Sequence, residues 1–284
     1  MVRWLLSAAL LVALPAADLF AAELTGTLQQ VQQTGKIRIG YRDAQPPVSS
    51  LGKDGTPVGY AMDLCRGIVD EAKKVVGGEI SVEYVAVTAE NRFDALADNK
   101  IDLLCASTTR TLSRSEKVDF TLPMFVTGAA FMTLSDTDIR NNFSGKKIGV
   151  GRGTTTVVEL KKLLSETGVV AEVVEFGATA EGFDALEKRR IDVFAADQVV
   201  LIGLALAAGD PAKFTVLSNL FSFETLALAV RRNDAAFRLV ADRFLAGLCR
   251  SKEILKIYDT WFGSFGGKRI TAFDALVQLN SIPE

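Results

Sequence analysis

The sequence of 284 residues contains no histidine, only three cysteines, and no run of basic residues. Without histidine the chain cannot form a Ser-His-Asp or Cys-His nucleophile system or a histidine metal site. A formal net charge of -2 gives no electrostatic footprint for a phosphate backbone, so we expect no nucleic-acid partner. We also expect no cofactor. The 49% of hydrophobic residues exclude a mainly disordered chain, and the length favours two lobes.

The chain also has no apolar run of about 20 residues, the length that a membrane-spanning helix needs. Residues 1–22 instead contain one early cation, Arg3, then an apolar run from Trp4 to Leu14, then small residues up to Ala22. This layout is typical of a secretory signal peptide, and a buried N-terminal helix is the alternative. The sequence therefore predicts an exported protein from which this segment is removed.

Export allows the three cysteines to pair, and three pairings are open. We favour Cys65 with Cys105, because the first lies early in a predicted helix and the second ends a predicted strand of the same lobe. Cys249 would then stay unpaired. Three buried, reduced cysteines are the alternative.

A duplication with a spacing of 90 residues organises the chain. Residues 90–107 read ENRFDALADNKIDLLCAS and residues 180–197 read AEGFDALEKRRIDVFAAD, with seven identical residues, where about one is expected by chance. Each copy is predicted to be a helix followed by a buried strand, within a longer alternation of strands and helices. The alternation predicts an α/β fold and the duplication predicts two related lobes. The alternative is that two similar α/β units pack as one structural domain with no cleft between them.

The two copies end in Ser107 and Asp197, directly after the predicted strands. Ligands of open α/β sheets bind beyond the carboxyl ends of the strands, so two facing lobes would place these side chains on opposite walls of one cleft. Asp197 is suited to a ligand ammonium, with a helix cap as its alternative role. Thr109 shares a side of the chain with Ser107, and Arg114 offers a guanidinium for a carboxylate.

The stretch GRGTTT at residues 151–156, which includes Gly153 and Thr155, follows a predicted strand and opens a helix. Its free N–H groups would point outward at the positive end of the helix and bind the same carboxylate as Arg114. The stretch lacks the spacing of a phosphate-binding loop. A plain helix cap is the alternative. A guanidinium for a carboxylate and an aspartate for an ammonium together fit the two ends of an α-amino acid.

Several segments between residues 37 and 263 carry a resemblance to a known family: GYRDAQPP, VGYAMDLC, ENRFDAL, KIDLLCASTTRTLSRSEKVDF, GKKIGVGRGTTT, IDVFAADQ and KIYDTWFG. In these segments the chain resembles the amino-acid-binding members of the periplasmic solute-binding proteins that serve ABC importers. The resemblance implies two α/β lobes with mostly parallel sheets, joined by two crossing strands, and the membrane subunits of an importer as partners. We expect a periplasmic monomer.

The resemblance also implies boundaries and roles. The expected division is a signal peptide at 1–22, lobe 1 at 23–124 and 222–284, and lobe 2 at 125–221. Arg114 and Thr109 would clamp the α-carboxylate of the ligand, with help from the region of Thr155. Ser107 and Asp197 would hold its α-ammonium.

Within that family the sequence looks closest to the binders of acidic amino acids, whose pattern has one arginine after the first strand and another in an Asn-Arg pair. Here these are Arg42 and Arg92. With Arg114 and Asp197 the site would carry a net charge of +2, which suits a ligand of net charge -1 better than a neutral one. L-Glutamate or L-aspartate is therefore the expected ligand.

Ala89 and Thr179 depart from the pattern of close acidic-ligand binders, so a broader preference for polar amino acids stays open. The alternative from another class is an enzyme on the same scaffold that resembles periplasmic cyclohexadienyl dehydratase, with Glu90 or Asp43 as the acid or base. Residues 270–284 lie beyond the resemblance, and we expect an amphipathic helix there that packs back on lobe 1.

Overall fold

A computed structural model describes residues 23–137, 139, 142–265 and 269–284. The predicted signal peptide lies outside these residues. The described helices are α1 (Gly26–Thr34), α2 (Tyr60–Val76), α3 (Arg92–Ala97), α4 (Thr155–Thr167), α5 (Thr179–Glu187), α6 (Gln198–Ala207), α7 (Ala235–Ser251), α8 (Glu253–Phe262) and α9 (Thr271–Leu279). The described strands are β1 (Lys36–Tyr41), β2 (Ala44–Gln45), β3 (Ser49–Leu51), β4 (Pro57–Val58), β5 (Ser81–Ala86), β6 (Leu103–Cys105), β7 (Val118–Thr127), β8 (Ala129–Leu134), β9 (Lys147–Gly151), β10 (Glu172–Phe176), β11 (Val193–Asp197), β12 (Phe214–Val216) and β13 (Glu224–Arg231). None of the described helices is long and apolar enough to cross a membrane.

Two five-stranded sheets form the centres of two lobes. The sheet of lobe 1 has the order β5-β1-β6-β13-β7, and the sheet of lobe 2 has the order β10-β9-β11-β8-β12. In each sheet the fourth strand is antiparallel to both of its neighbours, and the other four strands share one direction. The predicted fold of two α/β lobes with mostly parallel sheets is therefore confirmed.

The predicted duplication is confirmed in backbone detail. The first copy forms α3 and β6, the second forms α5 and β11, and both strands occupy the third place of their sheets. Asn99 and Arg189, which are 90 residues apart, both adopt a positive φ, at 56° and 54°. Asp102 and Asp192 each accept a hydrogen bond of 2.8 Å from a backbone N–H of the neighbouring strand, β1 or β9, which occupies the second place of its sheet. The shared Ile-Asp pair thus ties neighbouring strands together.

The chain passes between the sheets twice. β7 continues into β8 through Gly128, and residues 217–223 lead from β12 to β13. The two passages touch, because a Cβ atom at Gly128 would lie only 2.1 Å from the carbonyl oxygen of Ser222. Only glycine allows this approach, so the two connections form one compact joint.

Periodicity in the sequence predicts strands near residues 37–41, 80–85, 101–105, 147–150, 172–176, 193–196 and 226–230. The long strands β7 and β8 are absent from this set. Pro123 lies within β7, and a proline in an apolar run argues against a central strand. The structure accommodates it because β7 is an edge strand and its register against β13 shifts on either side of Ala227, the partner of Pro123. An edge position with irregular pairing leaves the missing N–H of proline without consequence.

Two further predictions concern the periphery of lobe 1. Cys65 and Cys105 form a disulfide that joins α2 to β6, with Cα atoms 6.4 Å apart, and Cys249 is free and buried. The final helix α9 packs on lobe 1 through Phe273, which is fully buried and lies 5.6 Å from the ring of Phe125. The expected C-terminal helix is therefore confirmed.

Helix α6 is apolar on almost all sides because it is covered by both lobes. One side packs on the sheet of lobe 2, and Gly203 faces the Pro46-Pro47 peptide of lobe 1. A Cβ atom at Gly203 would lie 2.0 Å from the carbonyl oxygen of Pro46. The lobes are thus in close contact at α6 as well as at the joint.

Candidate ligand-binding site between the lobes

A cavity of about 40 Å³ lies between the lobes, several times the space that one water molecule needs. Its walls contain seven of the eight predicted binding residues: Arg42, Arg92, Ser107, Thr109, Arg114, Thr155 and Asp197. Gln45 and Thr179 also line it. The structure therefore brings together, from distant parts of the chain, the groups that the sequence placed after separate strands.

Lobe 1 supplies three arginines to one wall. Arg42 follows β1, Arg92 opens α3, and Arg114 begins a short 3-10 helix that ends at Glu116. Burial lowers the pKa of Arg42 from its usual value, and burial together with the nearby Arg114 and Arg42 lowers the pKa of Arg92 well below it. Among the described residues, no carboxylate lies within 4.0 Å of any of these guanidinium groups. Buried cations without an anion are costly, so this wall favours an anionic ligand.

Two hydrogen bonds of these guanidinium groups stay within lobe 1, from Arg92 to the carbonyl oxygen of Ala89 and from Arg114 to that of Thr109, and the others reach across the cleft. The Nη2 atoms of Arg92 and Arg114 both lie 3.4 Å from the carbonyl oxygen of Gly153 in lobe 2, and Arg42 lies 3.4 Å from the hydroxyl of Thr179. Nε of Arg92 is buried and has no partner among the described residues. Both Arg92 and Arg114 lie over the ring of Phe93, at 4.5 and 5.4 Å. Donor capacity therefore remains for a ligand.

Lobe 2 contributes the start of α4. The hydroxyl of Thr154 accepts a hydrogen bond from the N–H of Val157 and donates one of 2.6 Å to the carbonyl of Gly151. Thr154 is thus the helix cap, which leaves the N–H groups of Thr155 and Thr156 in a first turn that has no internal acceptors. These groups lie at the positive end of the helix, where an anion is stabilised.

Gly153 takes a different position from the other predicted residues. It does not line the cavity, and it offers the two arginines its carbonyl oxygen as an acceptor. Its φ of +73° and the 3.1 Å between a Cβ atom there and the carbonyl oxygen of Ala89 leave no room for a side chain. Gly153 therefore lies at a close contact between the lobes beside the site.

Asp197 faces the three arginines from lobe 2. It ends β11 and is only 9% exposed, and its carboxylate does not cap α6 although the residue stands at the capping position. Burial and the neighbouring carboxylate of Glu224 raise the pKa of Asp197 to about 8, against the opposing effects of the Ser107 hydroxyl, Arg114 and Arg92. A cationic group of a ligand beside Asp197 would relieve this cost.

Ser107 occupies the equivalent place in lobe 1. Its hydroxyl is buried, lines the cavity and lies near enough to the Asp197 carboxylate to lower its pKa, but it completes no hydrogen bond of good geometry within the described ranges. The amide oxygen of Gln45, another cavity residue, is also buried and has no partner in those ranges. Buried polar atoms normally have partners, so these unpaired atoms, together with Nε of Arg92, indicate that the cavity receives a polar ligand.

Glu224 is a charged residue of the site that sequence reasoning missed. It is 4% exposed and accepts hydrogen bonds from the hydroxyls of Thr109, Thr155 and Ser222. In the sequence it is the first residue of a strand beside the joint, and no motif marks it. With a ligand ammonium keeping Asp197 ionised, two carboxylates face three arginines, and the net charge is +1 where the sequence predicted +2. A ligand of net charge -1 balances the site.

Other charged residues named from the sequence lie away from the cavity. Arg152 pairs with Glu90 at 3.7 Å and Glu175 at 3.9 Å, and all three are partly exposed. Asp43 is exposed. Glu90 and Asp43 are absent from the cavity walls, so neither is placed to act as an acid or base on a bound molecule.

Comparisons with known proteins agree with this architecture. Residues 37–264 match the bacterial extracellular solute-binding proteins, family 3. An L-glutamate/L-aspartate-binding protein of Pseudomonas aeruginosa is 34% identical over 91% of this chain and 87% of its own length. A glutamate/aspartate import solute-binding protein of Escherichia coli is 29% identical over 91% of this chain and 86% of its own length.

Solved structures show the same fold. A solute receptor for L-cysteine of Neisseria gonorrhoeae has a TM-score of 0.75 and 25% identity, with coverage of 87% of this chain and 98% of the receptor. The curated relatives are named as binding proteins, which does not favour the enzyme alternative. The chain belongs to family 3 of the bacterial extracellular solute-binding proteins.

Proposed function

We propose that this protein captures L-glutamate or L-aspartate between its two lobes and delivers it to the membrane subunits of an ABC importer. The observation that carries the proposal is the set of three arginines at one cavity wall, without a carboxylate within 4.0 Å in the described structure, opposite the buried Asp197. The names of the Pseudomonas aeruginosa and Escherichia coli relatives support the same ligand class.

Each end of the ligand has its own partners in this proposal. Arg114 and the first turn of α4, at Thr155, hold the α-carboxylate, because a guanidinium and free N–H groups converge there. Ser107 and Asp197 hold the α-ammonium.

The side-chain carboxylate of the ligand lies with Arg42 and Arg92. Arg92 keeps an unpaired Nε for it, and both guanidinium groups are buried. A neutral side chain would leave one positive charge of the site without balance, which is costly in a buried cavity. This charge balance is the reason to favour glutamate and aspartate over their amides.

Hinge movement, export and delivery to the importer are also part of the proposed function. The division at 23–124 and 222–284 for lobe 1 and 125–221 for lobe 2 places both passages between the sheets at the lobe boundary, where a hinge would act. We propose removal of residues 1–22 on export to the periplasm, and a monomer that closes on its ligand and presents the closed form to the importer.

Thermal-shift measurements and calorimetry of the mature protein test the ligand class. A ligand that binds only the folded protein raises its melting temperature, so we expect shifts with L-glutamate and L-aspartate and much smaller shifts with L-glutamine and L-asparagine. The amides match the acids in shape and differ in charge. Equal or stronger binding of the amides would overturn the charge argument, and no shift with any amino acid would overturn the proposed function.

A substitution tests the assignment of the carboxylate clamp. Arg114→Ala should raise the Kd for L-glutamate by about thirtyfold or more, since loss of a buried charge partner costs about 2 kcal/mol or more. Arg110→Ala is the matched control, because Arg110 is exposed and does not line the cavity. Binding by the Arg114 variant within twofold of the parent would show that the clamp is wrongly assigned.

A further inference from the structure

Glu224 is a buried carboxylate to which the proposed ligand contacts give no role. It begins β13, where the second passage enters the sheet of lobe 1. The hydroxyls of Thr109 and Thr155 donate to its Oε2, the latter at 2.8 Å, and the hydroxyl of Ser222 donates to Oε1 at 2.7 Å. Hydrogen bonds to a carboxylate are about twice as strong as neutral ones, so this is a strong local cluster.

The three donors come from three parts of the molecule. Thr109 lies in lobe 1 after β6, Thr155 is the first residue of α4 in lobe 2, and Ser222 lies in the passage between the sheets. The hydroxyl oxygens of Thr109 and Thr155 are 3.2 Å apart. The carboxylate of Glu224 thus accepts hydrogen bonds from both lobes and from the joint between them.

The cluster also fixes the anion end of the cavity. A hydroxyl has a single proton, and Thr109 and Thr155 both give theirs to Glu224. Arg114 and the N–H groups of α4 therefore remain as the donors for a ligand carboxylate. Nη1 of Arg114 donates at 2.8 Å to the carbonyl oxygen of Thr109, so the position of Thr109 sets the position of the guanidinium.

We propose that Glu224 is a positioning residue that binds Thr109 and Thr155 at once, holds the lobes together at the anion end of the site, and keeps Arg114 in place without touching the ligand. The choice of ligand in the test rests on the proposed function.

The test compares Glu224→Gln, Thr155→Val and the double variant by calorimetry with L-glutamate. Each single substitution should raise the Kd about tenfold, because a charge-assisted hydrogen bond between the lobes is lost or weakened. The double variant should be little worse than either single variant, since partners in one contact are not additive. Glu90→Gln is the matched control: Glu90 pairs across the lobes with Arg152 at 3.7 Å, but both are about half exposed, and binding should stay within twofold.

Melting temperatures without ligand check that the variants fold, and should Glu224→Gln fail to fold, the tenfold loss expected for Thr155→Val decides the question. Additive losses, or a Kd within twofold of the parent, overturn the proposal. Small-angle X-ray scattering of the ligand-free proteins gives a readout independent of the ligand. A larger radius of gyration for Glu224→Gln than for the parent supports the role of Glu224, and identical curves overturn it.

These measurements also separate the two proposals. If the parent binds neither L-glutamate nor L-aspartate, the proposed function is wrong, and the ligand-free scattering curves alone decide the role of Glu224.

Discussion

The two copies of the duplicated segment, one in each lobe, have the same backbone and different chemistry at their ends. Both form a helix, a turn with a positive φ at Asn99 or Arg189, and a strand in the third place of a sheet. In both, an aspartate accepts a hydrogen bond of 2.8 Å from the backbone of the strand in the second place of the sheet. The repeated letters therefore specify the scaffold of each lobe.

The copies diverge where the strands end. Lobe 1 continues from Ser107 to Thr109 and Arg114, and lobe 2 presents Asp197. Since the scaffold is shared, the difference between a cation-rich and an anion-bearing wall arises from residues at the ends of its elements. Arg42 follows β1, Arg92 opens α3 and Arg114 follows β6 in lobe 1, and Asp197 ends β11 in lobe 2. A duplicated fold can thus form a binding site for a zwitterion when its two halves carry opposite charges at equivalent edges.

The largest expected difference is in stability, between substitutions of the two equivalent aspartates Asp102 and Asp192. Asp102 is fully buried and binds Arg38 and Arg231, at 2.9 and 2.8 Å, whereas the Asp192 side chain is 37% exposed and lies 3.9 Å from Lys146. Burial alone would raise the pKa of Asp102, but the hydrogen bonds from Arg38 and Arg231 lower it below its usual value. The carboxylate thus gains more from its partners than it loses by burial.

Asp102→Asn should therefore lower the free energy of unfolding by about 3 kcal/mol, because breaking a buried ion pair leaves charges without partners. Asp192→Asn, with a partly exposed side chain, should cost less than about 1 kcal/mol. Urea denaturation followed by circular dichroism measures both. Equal losses of unfolding free energy would show that Asp102 and Asp192 contribute equally to the stability of the protein.

The next contrast concerns the two residues at the ends of the copies. Asp197→Asn should weaken L-glutamate binding by about 2 kcal/mol or more, because the ligand ammonium loses its charged partner. Ser107→Ala should weaken it by about 1 kcal/mol, since only one neutral donor or acceptor is removed. Calorimetry on both variants measures the difference. A larger loss for Ser107→Ala would reverse the assignment of the anionic wall to lobe 2.

Much of the fold could be predicted because its signals are local. Helices α2 and α5 and strands β1 and β10 follow from apolar periodicity in short stretches of chain, and the duplication identifies two lobes without any structure. The strands β7 and β8 could not be predicted, since the proline in β7 is tolerated only at an edge, and edge position is a property of the assembled sheet.

The binding site, like the fold, has residues that the local sequence predicts and residues that it does not. Seven predicted residues line the cavity because each follows a strand or opens a helix at the binding edge of a lobe. Glu224 was missed because no motif surrounds it, and Gln45 was missed although it lies three residues after Arg42 in GYRDAQPP, because a neutral amide there carries no signal of its own. Glu224 acquires its role only when Thr109 and Thr155, from different lobes, meet beside it. Contacts across two lobes are not encoded by spacing along the chain.

The last contrast between the lobes concerns the pH dependence of ligand binding. In the empty site, burial and the nearby Glu224 raise the pKa of Asp197 to about 8, with the cations Arg42, Arg92 and Arg114 facing the same cavity. A ligand ammonium beside Asp197 favours the ionised carboxylate and lowers this pKa, so binding below pH 8 releases a proton and affinity increases as pH increases.

From pH 6 to pH 7 the Kd for L-glutamate should therefore fall by about tenfold, about 1.4 kcal/mol, while both ligand carboxylates stay ionised. The change should flatten above pH 8, where Asp197 is already ionised. Calorimetry in two buffers that differ in ionisation enthalpy counts the released protons. Asp197→Asn should abolish the pH dependence and Ser107→Ala should keep it, because only the lobe 2 copy ends in a titratable group. Affinity that is flat over this range in the parent, or a pH dependence that persists in the Asp197 variant, would contradict the pairing of Asp197 with the ammonium.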